Sequence, residues 1–341
     1  MQILSPNEFL EKAESTPIVD VRSPAEYVEG HISGAVNIAL FSNEERAEVG
    51  TIYKQQGRLE AIERGLDIVG PKMSGFVKEA QSLASGGELL VHCWRGGMRS
   101  ESMAWLFERV GIHCFTLKGG YKSYRNLLMD ELGNIPRLIV LEGFTGSGKT
   151  EILQKLAEQG EQILDLEGLA NHRGSVFGGV GQGEQPTTQQ FQNNLLDAFR
   201  KLDREKRIWV EGESKSIGHV FMPDSFWQAM NQARIIEIEV PLEQRINRLV
   251  RDYGLLEKQK MVNAISTLNK RLGEQRTELV LELYHSNELE LVAAMLLNYY
   301  DKTYRYSRDK YKTNFASVEL GGENSDEDAG KLLEKAYELT L

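Results

Sequence analysis

Short apolar runs alternate with longer amphipathic segments along the first third of the chain. Three runs have the length and apolar content of buried strands, and they cover residues 17–21, 87–92 and 112–117. Between the second and the third run, apolar side chains recur at helical spacing, which predicts a helix over residues 100–110. Strands that alternate with helices predict a parallel sheet that is covered on both faces.

Glycine, asparagine and proline cluster near residue 135 and predict the end of a first domain that covers residues 1–133. A second set of apolar runs follows, at residues 138–141, 162–164, 207–210 and 235–238. Helical patterns lie between these runs, so we expect a second α/β domain over residues 136–254. Over residues 255–341, leucine and charged residues recur at helical spacing up to a polar linker at residues 321–328, which predicts a helical C-terminal region.

Composition narrows the class of protein. Apolar residues make up 41% and charged residues 26% of the chain, which is ordinary for a globular protein and excludes a disordered chain, a collagen and a disulfide scaffold. The chain has only two cysteines, which favours a reducing compartment. It contains no run of about 18 apolar residues, and its acidic N-terminal segment lacks the pattern of a secretion signal. We therefore expect a cytoplasmic enzyme without a membrane partner.

Cys93 ends the second predicted strand and opens a glycine-containing loop that leads into a helix. Backbone N–H groups of such a loop, the helix N-terminus and nearby arginines all stabilise a thiolate. The loop therefore predicts a nucleophile beside an anion cradle. The candidate residues are Cys93 and Arg99 for catalysis, with Trp94, Arg95, Gly96, Gly97, Met98 and Ser100 forming the rest of the loop. A buried structural cysteine would also fit this position, and it is the only interpretation that we give to Cys114.

A second candidate site is a segment that fits the phosphate-binding pattern G-x-x-x-x-G-K-[ST]. Its members are Gly143, Phe144, Thr145, Gly146, Ser147, Gly148, Lys149 and Thr150. A predicted strand precedes this P-loop and a helical run follows it, as the pattern requires. We expect backbone N–H groups and Lys149 to hold a diphosphate-like group, and Thr150 to be a ligand if Mg²⁺ accompanies it. A P-loop indicates a site for phosphate groups but does not establish nucleotide hydrolysis.

Acidic residues follow two of the strands predicted for the second domain. They are Asp165, Glu211 and Glu213. Each is a candidate to orient Mg²⁺ or its water, and each fits a solvated acid at a strand end equally well. We expect no tightly bound cofactor, and Mg²⁺ stays an open candidate.

The first domain resembles the rhodanese family. Residues 20–27 read DVRSPAEY and residues 30–38 read GHISGAVNI, which is similar to the opening signature of that fold. Cys93 stands where the family keeps its persulfide-forming cysteine. Five residues separate Cys93 from Arg99, as in the related cell-cycle dual-specificity phosphatases, whereas single-domain rhodaneses usually have four. The longer loop suits a phosphate-bearing donor or an atom larger than sulfur.

The whole chain resembles the bacterial tRNA 2-selenouridine synthase family. The resemblance rests on residues 43–57 (NEERAEVGTIYKQQG), on the Cys93 loop and on residues 165–178 (DLEGLANHRGSVFG), and it covers about residues 15–250. It implies an α/β protein in which a rhodanese-like domain with a parallel sheet is followed by a P-loop NTPase-like α/β domain and a helical C-terminal region.

The resemblance also implies an activity, which is that of a transferase acting on 2-thiouridine at the wobble position of tRNA. Selenium from selenophosphate would replace the sulfur of this base, after transfer of a geranyl group from geranyl diphosphate to give S-geranyl-2-thiouridine. The P-loop would hold geranyl diphosphate, and Lys149 would stabilise the leaving diphosphate. Cys93 would accept selenium as a perselenide, while Arg99 and the loop amides hold the phosphate of the donor.

With a formal net charge of −10, the protein must offer tRNA a local basic face. Two segments interleave basic and aromatic residues, at residues 118–125 and 299–312. The candidates for binding the anticodon arm are Lys118, Tyr121, Lys122, Arg125, Arg173, Lys302, Arg305 and Arg308. Such side chains hold phosphates and stack on splayed bases. Both segments also fit amphipathic helices whose tyrosines contact a core.

Three other functions stay open at this point. A phosphatase on the rhodanese fold would explain the Cys93 loop but leaves the second domain without a role. A P-loop kinase for a small molecule, with a regulatory rhodanese module, predicts phosphoryl transfer from ATP that does not depend on Cys93. An RNA-binding scaffold with vestigial sites is opposed by the intact Cys93, Lys149 and Thr150.

Overall fold

Two five-stranded parallel β-sheets organise the residues that the structure describes. This computed structural model describes residues 1–254, 257–308 and 315–339, without the side chains of residues 303–308. The first unit contains Met1–Asp130 and Thr187–Asn193, and the second contains Glu131–Pro186 and Asn194–Leu341. The domain limits expected from the sequence stay predictions.

In the first unit, strands and helices alternate along the chain. Its strands are β1 (Gln2–Leu4), β2 (Ile18–Asp20), β3 (Val36–Asn37), β4 (Glu88–His92) and β5 (His113–Leu117). Its helices are α1 (Pro6–Lys12), α2 (Pro24–Glu29), α3 (Asn43–Gln55), α4 (Arg58–Val69), α5 (Met73–Leu83), α6 (Met98–Arg109) and α7 (Gly120–Leu132), with a 3₁₀ turn at Gly70–Lys72.

The first sheet has the strand order β1-β5-β4-β2-β3, and every neighbouring pair is parallel. The middle strand, β4, is sealed from solvent, since Leu89, Leu90 and Val91 have no exposed surface. A continuous apolar run is what a parallel strand with both faces covered requires. The carboxyl end of this central strand carries Cys93.

The second unit has a longer set of elements. Its strands are β6 (Leu138–Gly143), β7 (Gln162–Leu164), β8 (Ile208–Glu211), β9 (Ser216–Ile217), β10 (Val220–Phe221), β11 (Arg234–Glu239) and β12 (Phe315–Glu319). Its helices are α8 (Lys149–Glu158), α9 (Leu166–Ala170), α10 (Thr188–Arg200), α11 (Asp224–Gln232), α12 (Leu242–Tyr253), α13 (Lys258–Thr267), α14 (Asn269–Leu272), α15 (Glu274–His285), α16 (Leu289–Arg308) and α17 (Ser325–Glu338). The first residues of α10 belong to the first unit.

The second sheet has the strand order β12-β11-β6-β8-β7, again with parallel pairs throughout. β6 lies in the middle, and the P-loop follows its carboxyl end, which is where open parallel sheets bind ligands. Its neighbour β8 and the edge strand β7, which pairs with β8, end at the acidic residues described below. β9 and β10 form a separate antiparallel pair.

Helices from the C-terminal part cover this sheet and form a core of their own. Ala329, Leu332 and Ala336 of α17 share an apolar cluster with Ile152 and Leu156 of α8. A second apolar cluster lies among α13, α15 and α16. The C-terminal part is therefore integral to the second unit.

The predicted fold class is confirmed, as an α/β protein with two parallel sheets and a helical C-terminal part. All seven strands predicted from apolar runs are present. The sequence analysis missed the short strands β1, β3, β9 and β10. It also missed β12, which lies inside the region predicted to be helical and pairs with β11 at the edge of the second sheet. Among the described residues, no helix has the length and apolar character needed to cross a membrane.

Candidate functional site

The Cys93 loop, residues 93–97, joins the central strand β4 to α6. Gly96 has φ +62°, and a Cβ atom at this position would lie 2.5 Å from the carbonyl oxygen of Leu117. Only glycine fits this left-handed conformation and close approach, so the sequence sets the path of the loop. The start of α7 fastens the loop, because the backbone N–H of Tyr121 donates to the carbonyl of Cys93 at 2.8 Å.

The sulfur of Cys93 lies 3.3 Å from the hydroxyl oxygen of Ser100, and the residue is only 3% exposed. Burial raises the pKa of the Cys93 thiol, but hydrogen bonds from Ser100 and the loop backbone, with the charge of Arg99, outweigh burial and lower the pKa overall. This is the direction that the sequence predicts. The sulfur is therefore largely shielded from solvent in this conformation of the loop.

Arg99, the predicted phosphate ligand, is paired with a carboxylate. Its Nη1 donates to Oε2 of Glu26 at 2.9 Å, and the guanidinium of Arg46 lies 3.8 Å from the same side chain. Burial acts to raise the pKa of Glu26, but the hydrogen bond and charge of Arg99 outweigh it, so this pKa is lowered. An anionic donor at the loop therefore has to share Arg99 with Glu26 or displace it.

The other large side chains of the loop differ in exposure. Trp94 is half-buried, with its ring centroid 5.6 Å from that of Tyr121. Arg95 and Met98 are exposed. Arg95 and Met98 are therefore the side chains of the loop that are open to a large substrate.

A buried ion pair follows β2, the neighbour of β4. Asp20 and Arg22 are both fully buried, and the Arg22 Nη2 lies 2.5 Å from Oδ2 of Asp20. Arg22 also donates to the carbonyl of Gly30 at 2.7 Å. Burial acts to raise the pKa of Asp20, but the charges of His92 and Arg22 outweigh it and lower the pKa. The pair ties β2 to the segment before β3, and the sequence analysis quoted these residues as a signature without giving them a role.

Cys114 differs from Cys93 in the direction in which its pKa is shifted. It lies within β5 without exposed surface, and burial raises the pKa of its thiol to about 12. A thiol of this kind stays protonated at neutral pH and is inert. The structural interpretation given to Cys114 is confirmed.

The P-loop follows β6 and ends in the first turn of α8. Gly148 has φ +85°, and a Cβ atom here would lie 2.6 Å from the guanidinium carbon of Arg248. Lys149 is the first residue of α8, and its ammonium donates to the carbonyl oxygen of Gly143 at 2.9 Å. The lysine therefore reaches back across the loop, toward the place where phosphate oxygens bind in such loops.

Two arginines of α12 hold the P-loop in place. Nε of Arg245 donates to the carbonyl of Thr145 at 2.9 Å, and Nη1 of Arg248 donates to that of Gly146 at 2.9 Å. Arg245 is buried and forms an ion pair with Asp301 at 2.6 Å. The carbonyl groups of Thr145 and Gly146 are thus occupied by arginine donors, which fixes the path of the loop.

Thr150 begins a chain of polar contacts that ends at β8. Its hydroxyl donates to Oε2 of Glu167 at 2.7 Å, and the backbone N–H of Glu167 donates to Oε1 of Glu211 at 2.7 Å. Asp165 starts α9 by accepting from the N–H of Gly168 at 2.8 Å. Asp165 therefore serves as a helix cap, while Glu211 supports Glu167 beside the P-loop threonine.

Four carboxyl groups around the P-loop have raised pKa values. Burial is the main cause for Glu142, Glu167, Glu211 and Glu213, and it raises the pKa of Glu213 to about 7. The charge of Lys149 acts in the opposite direction on all but Glu211. The site therefore concentrates acidic groups around one lysine, and Glu213, with its pKa of about 7, is partly protonated near neutral pH.

A cavity of about 800 Å³ opens above the P-loop. Its polar wall includes Ser147, Lys149, Thr150, Glu167, Arg173 and Glu213, and its apolar wall includes Phe144, Trp227, Leu249, Tyr253 and Tyr300. The guanidinium of Arg173 lies 6.0 Å from the ring centroid of Tyr253, at cation–π distance. The cavity can therefore hold a ligand that combines phosphate groups with an apolar part.

The P-loop also fits the way in which proteins bind Mg²⁺ with phosphate ligands. No cluster of three or more His, Cys, Asp or Glu side chains with metal-binding geometry occurs among the described residues. Magnesium in such sites takes one or two protein ligands and obtains the rest from phosphate and water. The hydroxyl of Thr150 and the carboxylate of Glu167, in contact at 2.7 Å, are the residues that would hold it.

The comparisons with known proteins cover both units. A model of the tRNA 2-selenouridine synthase AAA domain matches residues 136–326, and a rhodanese-like domain model matches residues 5–127. The tRNA 2-selenouridine synthase of Sulfurovum sp. (strain NBC37-1) is 36% identical, over 87% of this chain and 90% of that protein. The tRNA 2-selenouridine synthase of Shewanella loihica is 33% identical, over 87% of this chain and 88% of that protein. The chain belongs to the tRNA 2-selenouridine synthase family.

One of the tRNA-binding candidates suggested by the resemblance to the tRNA 2-selenouridine synthase family is wrong. Tyr121 is fully buried, its hydroxyl accepts from Nδ2 of Asn193 at 2.7 Å, and its ring lies 3.9 Å from the guanidinium of Arg22. A side chain with these contacts cannot stack on an anticodon base. Lys118 and Lys122 from the same segment are exposed and stay candidates.

The remaining candidates occupy several environments. Arg125 is half-buried and donates to Oδ1 of Asn193 at 2.8 Å, so it is engaged within the first unit. Arg173 lines the P-loop cavity. Lys302 is exposed, whereas the side chains of Arg305 and Arg308 lie outside the described residues.

Several site residues were missed by the sequence analysis. Glu167 lies in the run that resembles the tRNA 2-selenouridine synthase family, so its position was marked but its contact with Thr150 was not foreseen. Arg245 and Arg248 lie three residues apart on α12, a spacing that indicates one helix face but not the P-loop as its neighbour. For Glu26, the sequence indicates only a position in the first turn of a helix, and nothing in the sequence indicates its contact with Arg99.

Proposed function

We propose that this protein modifies tRNA at wobble 2-thiouridine and replaces the sulfur of that base with selenium. Selenophosphate is the selenium donor, and S-geranyl-2-thiouridine, made from geranyl diphosphate, is the intermediate. The observation that carries this proposal is that the family match spans both units, each with its own anion site at the carboxyl end of a central strand.

In the first step, the P-loop cavity binds geranyl diphosphate. The sulfur of 2-thiouridine attacks C1 of the geranyl group, the C1–O bond breaks, and diphosphate leaves while the N3 proton of the base is lost to solvent. Lys149, the amides of the P-loop and Arg173 stabilise the charge of the leaving group. If Mg²⁺ binds at Thr150 and Glu167, it neutralises further charge on the diphosphate.

In the second step, selenium displaces the alkylated sulfur. S-geranyl-2-thiouridine, selenophosphate and water give 2-selenouridine, geranyl thiol and phosphate, a balance that needs neither an oxidant nor a reductant. The Cys93 loop binds the donor, and the lowered pKa of the Cys93 thiol makes the thiolate available as the nucleophile toward it. S-alkylation turns the sulfur into a better leaving group, which explains why the two sites are joined in one chain.

The phosphorus product reports which atom of selenophosphate the thiolate attacks. Attack on selenium gives the perselenide expected from the sequence, and the electron pair of the P–Se bond stays on phosphorus, which is released as phosphite. The selenium of a perselenide is two electrons above the selenide level, so this route also needs a thiol reductant, which ends as a disulfide, and the redox-neutral balance given above holds only for attack on phosphorus. Attack on phosphorus gives a phosphocysteine and hydroselenide, and hydrolysis of the phosphocysteine then gives phosphate. Phosphorus-31 NMR of the spent donor separates these two routes.

Mass spectrometry of tRNA nucleosides tests the proposal as a whole. tRNA that contains 2-thiouridine is incubated with the protein, geranyl diphosphate and selenophosphate, and each donor is omitted in turn. We expect S-geranyl-2-thiouridine when selenophosphate is absent and 2-selenouridine when both donors are present. An unchanged nucleoside profile, together with ATP-dependent phosphorylation of a small molecule, would instead support the P-loop kinase.

A further inference from the structure

A second, smaller cavity borders the P-loop cavity within the second unit. It has a volume of about 50 Å³ and shares Thr145, Ser175, Leu249, Tyr253 and Tyr300 with the larger cavity. The shared residues show that the two cavities are adjacent and have a common wall. The small cavity therefore lies between the P-loop site and the helical part of the unit.

One face of α16 forms a wall of the small cavity. Leu289, Val292, Ala293 and Leu296 line it and follow the three- and four-residue spacing of a helix face. Val292, Ala293 and Leu296 are 5–6% exposed, so this wall is apolar and shielded from bulk water. An apolar cavity of this kind stays dry and accepts a hydrocarbon group without displacing bound water.

The lining changes from cationic to apolar over a short distance. The guanidinium of Arg173 lies 6.0 Å from the ring of Tyr253, and the ring of Phe177 lies 6.2 Å from that of Tyr253 between centroids. Tyr253 borders both cavities, whereas Phe177 borders only the small one. The two adjacent cavities together suit a molecule with an anionic head and a branched hydrocarbon tail, whose tail passes the common wall at Tyr253.

The size of the small cavity limits what enters it. At roughly 10–15 Å³ for each water-sized group, 50 Å³ holds about four such groups, which corresponds to the end of one isoprene unit. The larger cavity has room for the diphosphate, the first isoprene unit and the base. A longer prenyl chain would have to push into the helical core.

We infer that the small cavity binds the terminal isoprene unit of a prenyl diphosphate whose head lies on the P-loop, and that it selects the length of the prenyl chain. This inference rests on the proposed function. Ala293 and Val292, on the wall formed by α16, are the residues that determine specificity.

The test compares three prenyl diphosphates, with one, two and three isoprene units, by calorimetric titration of the full-length protein. The wild type should bind geranyl diphosphate at least about tenfold more tightly than dimethylallyl diphosphate, because the second unit gains apolar burial. Ala293→Phe fills the cavity, so it should remove this preference while affinity for dimethylallyl diphosphate stays within about twofold.

Ala293→Phe could also act by overpacking the apolar cluster, so a second variant that removes atoms is included. Val292→Ala enlarges the cavity and should improve binding of farnesyl diphosphate relative to geranyl diphosphate by about threefold or more. Val280→Ala is the matched control, because Val280 is 1% exposed in the same apolar cluster but does not line the cavity. Its effect on the ratio should be negligible.

Two results would overturn the inference in distinguishable ways. Equal affinity of the wild type for the one-unit and two-unit ligands, or equal shifts for Val292→Ala and Val280→Ala, would show that the small cavity does not receive the tail while the P-loop site stands. Failure of the folded wild type to bind any prenyl diphosphate would overturn the proposed function and this inference with it.

Discussion

The two candidate anion sites of this protein share one backbone arrangement, but the pKa values of their acidic groups are shifted in opposite directions. Each lies at the carboxyl end of the central strand of a parallel sheet, in a glycine loop that leads into a helix. At the first, the pKa of the Cys93 thiol is lowered, so a negative charge is stabilised. At the second, the pKa values of several carboxyl groups are raised, so negative charge is penalised.

This difference shows that the shared strand-loop-helix arrangement does not by itself determine whether a site stabilises a negative charge. The side chains around each loop determine it. The Cys93 loop has Ser100 and Arg99 beside the sulfur, and no acid is among the causes of its pKa shift. The P-loop has Lys149 beside Glu142, Glu167 and Glu213. The first site is ready to form a nucleophile without a ligand, whereas the second needs protons, a cation or an arginine before it accepts a diphosphate.

The largest expected effect comes from removing the nucleophile of the first site. Cys93→Ser should abolish the formation of 2-selenouridine, because a serine hydroxyl does not ionise near neutral pH. Formation of S-geranyl-2-thiouridine should continue at the wild-type rate, since it belongs to the P-loop site. Nucleoside mass spectrometry measures both products, and Cys114→Ser, at the inert thiol, is the control. If the Cys93→Ser variant formed 2-selenouridine at the wild-type rate, Cys93 would not be the nucleophile of the first site.

The second effect tests the cation of the other site. Lys149→Ala should weaken binding of geranyl diphosphate by about a hundredfold, because a charge-assisted contact to phosphate is lost among carboxylates. Calorimetric titration gives the affinity directly. Lys155→Ala is the matched control, as Lys155 lies on the same helix and pairs with Glu158 on the surface. Equal affinities for Lys149→Ala and Lys155→Ala would place the diphosphate elsewhere.

The two loops could be predicted from the sequence because their information is local. The run that ends at Cys93 and the motif that ends at Thr150 each contain the strand, the glycines and the helix start within about a dozen residues. The partners of these loops could not be predicted in the same way. Glu26 reaches Arg99 from 73 residues away, and Arg245 reaches Thr145 from 100 residues away.

The interleaved tyrosines and basic residues of α7 show a second limit of prediction from sequence, which is that one pattern fits two structures. The pattern around Tyr121 and Tyr124 fits both an RNA surface and an amphipathic helix, and both tyrosines are buried. What decides between the two for Tyr121 is Asn193, whose side chain donates to the Tyr121 hydroxyl. Asn193 belongs to the first unit, although the sequence analysis assigned its segment to the second domain. β12 was missed because an edge strand has only one covered side, so its apolar signal is restricted to Ala316 and Val318.

The third prediction concerns the free energy of unfolding of the protein, and it tests whether a negative charge on Glu213 is unfavourable in the folded state. The pKa of Glu213 is raised from 4.5 to about 7 by burial, so the unfolded chain releases this proton at lower pH than the folded protein does. Folding stability should therefore fall between pH 4.5 and pH 7 and stay low above it. Glu213→Gln should raise the free energy of unfolding at pH 8 by about 2 kcal/mol, with little effect at pH 4.

Urea unfolding of the ligand-free protein at the two pH values measures this difference. Glu158→Gln, at an exposed position on α8, is the control and should not change the pH dependence. A Glu213→Gln variant that is less stable than the wild type at pH 8 would show that the carboxylate is stabilised by its surroundings, against the contrast drawn between the sites.

The smallest effect isolates one hydrogen bond at the first site. Ser100→Ala removes the hydroxyl that lies 3.3 Å from the Cys93 sulfur and is the largest cause lowering the pKa of this thiol, so the pKa should rise. A hydrogen bond worth about 1 kcal/mol corresponds to about a fivefold loss of thiolate, and alkylation by iodoacetamide at pH 7 should slow accordingly. Ser102→Ala is the matched control, because the Ser102 hydroxyl, two residues further along α6, donates to the carbonyl of Met98 instead. Equal alkylation rates for the two variants would mean that the loop amides and Arg99 suffice to hold the thiolate, and the two anion sites would then differ only in the acids around the P-loop.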